Sequence, residues 1–329
     1  MRHFFTAGLL ALSFMFSSQV MAKDIPSIDL FSGDYIGVVG VDVDQLAKRD
    51  VYKKVIADPN ISGKYQDVKA TVDKWTAGAL TENDIDLMIV AIPSDYNKKE
   101  FISIVEAKKN LKELVPALEA EIAKQADKFE RREVNSNVFY IEKRSNSWLC
   151  ILDDKRFVAG SEREVKAVVA SQKANKAAKP LKNNAKLYKQ YQAADKKTDV
   201  WGAYVLTAEN LKDLKDVTIP SADGKSTFRA DEMQSANFSL NLVSGLVLNV
   251  VAKMKSDAAA SAGSAILNEN LNAVLGDPAL NDMGLGFLKT AVKVSSSKSD
   301  LKGTLDISSD NMSILEAFAA GATSSMKTK

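Results

Sequence analysis

The residues best suited by type to do chemistry are one serine at a glycine corner, three pairs of aspartates and one cysteine. Ser161 follows Gly160 in "RFVAGSEREVKAVVAS", where a short β-like run meets a charged amphipathic stretch. Such a corner is either a nucleophile turn or phosphate cradle, or the point where a strand ends and a serine caps a helix. A nucleophile needs a base to take its proton, and the nearest candidate, Lys155, belongs to the preceding turn. A cap needs only the hydroxyl and favours acids in the first turn, which Glu162 and Glu164 supply. Val165, Val168 and Val169 then form an apolar stripe. The corner therefore reads as architecture, with Ser161 as N-cap and about 1 kcal/mol at stake.

The paired acids are Asp42 and Asp44 in "VDVD", Asp84 and Asp86 in "NDID", and Asp153 and Asp154 in "LDD". On a strand, i and i+2 carboxylates share a face, which suits general acid–base work or a hard cation. A calcium loop needs more oxygens and a glycine turn, and D-x-D-x-D-G does not occur. The pairs read instead as helix caps and strand ends. Cys150 sits in the apolar run "SWLCILDD" and reads as a buried strand thiol, since a reactive thiolate wants a cation or base beside it.

His3 is the only histidine, and it lies in a leader. Without it, Ser-His-Asp and Cys-His systems are excluded, zinc and haem lack their usual ligands, and a lone cysteine cannot form an internal disulfide. No G-x-x-x-x-G-K-[ST] or G-x-S-x-G string occurs, and "GLGF" at Gly284 to Phe287 lacks the third glycine of a dinucleotide loop. No catalytic, cofactor-binding or metal-binding residue is assigned, and no cofactor is expected.

The leader itself is "MRHFFTAGLLALSFMFSSQVMAKD": a basic start, an apolar run from Phe4 to Phe16, and small-residue spacing at Val20-Met21-Ala22. That is the pattern of a secretory signal peptide over residues 1–22, with an apolar run shorter than the ~20 residues of a membrane span. The expected location is the periplasm or outside the cell, with no transmembrane segment after cleavage. Lys+Arg number 44 against Asp+Glu 42, and losing Arg2 with the leader narrows the excess to one. This balance argues against nucleic acid as a partner.

Two stretches, "DYIGVVGVDVDQLAKRD" from Asp34 and "DVWGAYVLTAENLKDLK" from Asp199, each read as strand, polar cap, helix. The order that follows each is similar: a strand pair, a helix, further strands, a closing helix. In the first half the pair is "DIDLMIVAIP" with "EFISIVEAKK". The helix is "NLKELVPALEAEIAKQ", bent at Pro116, and three short strands lead to the Ser161 corner. In the second half, the pair turns at Gly245, the helix is "SDAAASAGSAILNENLNAVL", and Ser308-Ser309 precede the closing helix. The expected domains are 23–172 and 199–321, joined by a helical or basic linker at 173–198, with a disordered tail at 322–329. An inserted helix carrying Tyr65, Val68, Val72 and Trp75 is expected between Ala57 and Asn83.

The run "DIDLMIVAIP…FISIVEAKKNLKELVPAL…NVFYIEKR…WLCILDDKRFVAGSEREVKAVV" resembles a module of secreted bacterial proteins of unknown function. The resemblance implies an α+β module and an exported protein, and brings no catalytic residues. The expected fold is α+β: two tandem modules, each a mainly antiparallel sheet with helices packed on one face. The expected function is non-enzymatic binding to a protein or cell-envelope component. The alternatives are a carboxylate- or lysine-dependent hydrolase of envelope polymers and a carrier of an apolar ligand. The sequence leaves the oligomeric state open.

Overall fold

The computed structural model describes residues 25–57, 80–94, 102–215, 217–221 and 223–314. The leader, the helix expected around Tyr65 to Trp75 and the expected tail lie outside the described residues. The chain is α+β, with helices packed against antiparallel strands. Its contacts divide it into two compact units. One is Lys23–Tyr188, and the described part of the other starts at Lys189.

In the first unit, strand β1 (Tyr35–Asp42) runs into helices α1 (Val43–Leu46) and α2 (Asp50–Ala57). Strands β2 (Ile85–Pro93) and β3 (Ile102–Ala107), helix α3 (Val115–Lys124), strands β4 (Phe129–Val134), β5 (Asn137–Glu142), β6 (Ser147–Ile151) and β7 (Arg156–Ser161), and helix α4 (Glu162–Lys173) follow. The pairing order is β1-β2-β3-β7-β6-β5-β4, antiparallel throughout. The register puts Val38, Ala91, Ile102, Gly160 and Trp148 in one row across the strands. Helix α4 packs on that face with Val165, Val168 and Val169 buried.

The expectation of helices on one face only is corrected here. Helix α3 lies on the opposite face, where Leu118 and Ile122 meet Phe129, Tyr140 and Leu149. The cause is visible in the strands: "FYI" and "WLCI" are buried residue after residue, so both faces need cover. Pro116 does not bend a helix. A 3-10 turn, Leu111–Leu114, precedes α3, and Pro116 falls in the first turn of α3, where its missing N–H is no loss. Strand β4, "FERREV", was not expected, because its polar surface hides the alternation. Asn135 and Ser136, with φ of 50° and 61°, turn it tightly onto β5.

Helix α5 (Ala185–Ala193) spans the boundary between the units. The join before it is tied down within the first unit: Ala177 N–H donates to Asp29 O at 2.9 Å, and Leu181 and Leu187 are fully buried. The Asn184 side chain donates to the carbonyls of Gly33 and Tyr35 at 3.2 and 3.0 Å.

The second unit contains β8 (Val200–Val205), α6 (Ala208–Leu214), the small hairpin β9 (Thr218–Pro220) and β10 (Thr227–Arg229), β11 (Met233–Asn241) and β12 (Gly245–Met254). Helices α7 (Asp257–Leu275), α8 (Pro278–Asp282) and α9 (Leu288–Ala291) and strands β13 (Val292–Ser297) and β14 (Asp300–Ser308) complete it. "GLGF" is a turn entering α9, with Gly284 at φ 75°. The pairing order is β8-β11-β12-β14-β13. In both units the first strand pairs with one arm of a hairpin, the other arm pairs with the last strand, and earlier strands lie outside it. Helix α7 buries Ala260 against Ala252, Met254, Val294 and Leu301. Helix α5 meets the other face through Gln190, whose amide donates to Ser235 Oγ at 2.9 Å.

Candidate functional site

Ser161 stands at the N-cap of α4 in extended backbone, where strand β7 ends. Its Oγ is buried and makes no hydrogen bond, so the expected cap bond is absent. The α4 end is held instead through the side chain of Glu164, which is buried, accepts from the Tyr35 hydroxyl and accepts from Arg163 Nε at 2.8 Å. At the corresponding corner of the second unit, Ser308 Oγ does accept from Asn311 N–H, at 3.4 Å. Neither arrangement supplies a base to a serine.

The aspartate pairs are dispersed among separate structural tasks. Asp42 caps α1, accepting from Gln45 N–H at 2.8 Å. Asp44 is held by Lys48 at 2.7 Å and by Lys108, and hydrogen bonds from these lysines keep its carboxyl below the usual range. Burial pushes the Asp84 carboxyl up, but Lys109 at 2.9 Å and the Thr81 N–H and hydroxyl outweigh it and leave it lowered. Asp153 follows the same balance: burial opposes ionisation, while the Arg156 guanidinium and the N–H groups of Lys155 and Arg156 overcome it. Among the described residues no cluster of three or more His, Cys, Asp or Glu is placed to hold a metal. Burial pushes the Cys150 thiol up to about 11, which leaves it protonated and unreactive at neutral pH.

An apolar hollow of about 30 Å³ lies among Leu80, Leu111, Leu118, Leu149, Ile151 and Phe157. That is room for about two waters, at roughly 10–15 Å³ each, and well short of a cavity for a small molecule.

The larger feature is an apolar surface on each unit. In the first, Val39 pairs with Val90, Val41 with Met88 and Gly37 with Ile92, all on the face opposite α4. Val39, Val41, Met88, Val90 and Ile92 are all partly exposed, and Ser103 and Ala159 continue the row from Val90 across β3 and β7. In the second unit Leu240 pairs with Leu248 and Leu248 with Leu305, beside Phe238 and Leu246. All five are partly exposed, on the face that α7 covers in part. The sequence marks these segments as strands but carries no signal for which side stays uncovered, since that depends on where distant helices dock.

No family model matches this chain, and neither does any curated protein. Among solved structures, crystal form I of TP0453 aligns with 90% of this chain and 98% of its own at 11% identity and a TM-score of 0.48. Crystal form III of TP0453 aligns with 89% of this chain and 99% of its own, at 9% identity and a TM-score of 0.47.

Proposed function

We propose that this protein is exported to the periplasm or the cell exterior and acts by binding, without chemistry of its own. The observation that carries this reading is the row Val39, Val41, Met88, Val90 and Ile92. Apolar side chains left partly exposed on adjacent strands gain from being covered, at about 25 cal/mol per Å² removed from water. A protein partner or envelope component with its own apolar surface fits such a face. The recurrence of the strand order supports reading the chain as two tandem modules, each offering one such face. The hydrolase reading has less support, because Asp42, Asp44, Asp84 and Asp153 are each engaged by a cap or a cation. The carrier reading has less support too, given a hollow of about 30 Å³.

The test is capture from a cell-envelope fraction with the purified protein, compared with a Val39→Ser/Val90→Ser variant of unchanged circular dichroism. The expected result is a saturable partner for the wild type that the variant fails to retain. Equal capture by the variant would remove the sheet face from the proposal.

A further inference from the structure

The second unit carries a polar layer in its interior that the proposed binding face does not use. On the side of β11 that α5 covers, Ser235, Asn237 and Ser239 succeed one another and all are buried. Gln190 reaches down from α5: its amide donates to Ser235 Oγ, and its carbonyl accepts from Asn237 Nδ2 at 2.7 Å. That leaves Asn237 Oδ1 buried with no hydrogen-bond partner. On the neighbouring strand β8, Trp201 is fully buried, and its indole Nε1 is likewise without one.

The register brings these two residues to the same face of adjacent strands. Ser239 lies directly opposite Trp201, and Asn237 opposite Ala203. Asn237 is therefore the diagonal neighbour of Trp201 on the same face, at the ~7–8 Å separation that a long side chain spans. The ring of Tyr191, from α5, stacks edge-on against Trp201 at 5.6 Å and helps to close the site from solvent. One orphan is a donor and the other an acceptor. Buried polar groups in folded proteins are almost always paired with protein or with an ordered water.

We infer that the space between the Trp201 indole and the Asn237 carbonyl oxygen is an internal water site. The water accepts from Trp201 Nε1–H and donates to Asn237 Oδ1, joining the indole to the Gln190 amide network and so coupling helix α5 to strands β8 and β11. The ligand class is water, the one species small enough to reach two fully buried polar atoms and able both to accept and to donate.

The experiment is water–protein cross-relaxation by NMR on the intact 15N-labelled protein. Trp201→Phe identifies the Trp201 indole among the signals of Trp75, Trp148 and Trp201. The expected result is a cross-peak between water and the Trp201 indole proton whose signs mark a bound water of long residence. It should vanish in Asn237→Leu and persist in Tyr191→Phe and in Ser239→Ala. Absence of the peak in the wild type would overturn the inference. So would its loss in Tyr191→Phe or Ser239→Ala, which would assign it to an exchanging hydroxyl. If Trp201→Phe does not fold, selective labelling with assignment by neighbouring backbone signals replaces it.

Discussion

Thr207 caps α6 in the way Ser161 was expected to cap α4. Thr207 Oγ1 accepts from Asn210 N–H at 3.2 Å, and the Asn210 side chain returns to Thr207 N–H at 3.0 Å. Thr207→Ala should cost about 1 kcal/mol in denaturant unfolding. Ser161→Ala should change stability by less than about 0.5 kcal/mol, because it removes a buried hydroxyl that bonds to nothing. A loss comparable to that of Thr207→Ala would restore the cap. Asp153 sets a pH prediction. Its carboxyl is lowered in the folded state, so its stabilising contribution is complete above the unfolded value, about 4. It is lost as pH falls through the lower folded value. Asp153→Asn should therefore flatten the acid limb of the stability curve below about pH 4 and leave its slope near neutrality unchanged. Cys150, pushed up to about 11 by burial, should resist a thiol reagent in the native protein and react only on unfolding.

At the scale of elements, the hairpin of β11 and β12 depends on Gly245. Its φ is 138°, and a Cβ there would fall 2.0 Å from Ile307 O, a backbone atom that cannot rotate away. Gly245→Ala should cost about 2 kcal/mol or more in thermal or denaturant unfolding; a neutral substitution would mean that the turn relaxes. Helices α4 and α3 show which parts of an element are legible in advance. The valine stripe of α4 follows helical period, so its buried face can be read directly from Val165, Val168 and Val169. The side of the sheet that α3 occupies cannot, because β5 and β6 are apolar on both faces and accept a helix on either. Strand β4 escaped for the opposite reason: Arg131, Arg132 and Glu133 face solvent, and only Phe129 reports the buried side.

For the whole molecule, the sequence offers one cysteine and a single histidine at position 3. Treatment with EDTA should leave the unfolding temperature unchanged, and a fall of several degrees would reveal a site built from oxygen ligands. The N-terminal pattern predicts that protein recovered from the envelope fraction begins at or beside Lys23; intact Met1 in a cytosolic fraction would refute export.

The sequence by itself determined the α+β class, most strands and the buried stripe of α4. These follow from residue periodicity and turn chemistry, which act over a few neighbours. It also limited the chemistry, because one histidine and one cysteine cannot together make the usual four-ligand zinc site or an internal disulfide. Only the tertiary structure decided the rest. Asp42 and Asp44, two residues apart in sequence, answer to different partners, one to its own helix and the other to Lys108, 64 residues away. The pairing of β1 with β2 sets Val39, Val41, Met88, Val90 and Ile92 in one row, partly exposed on the face opposite helix α4. Trp201 and Asn237 become neighbours through the pairing of β8 with β11, a contact between strands more than twenty-five residues apart in the chain. Burial and long-range pairing are properties of the assembled core, and no local pattern encodes them.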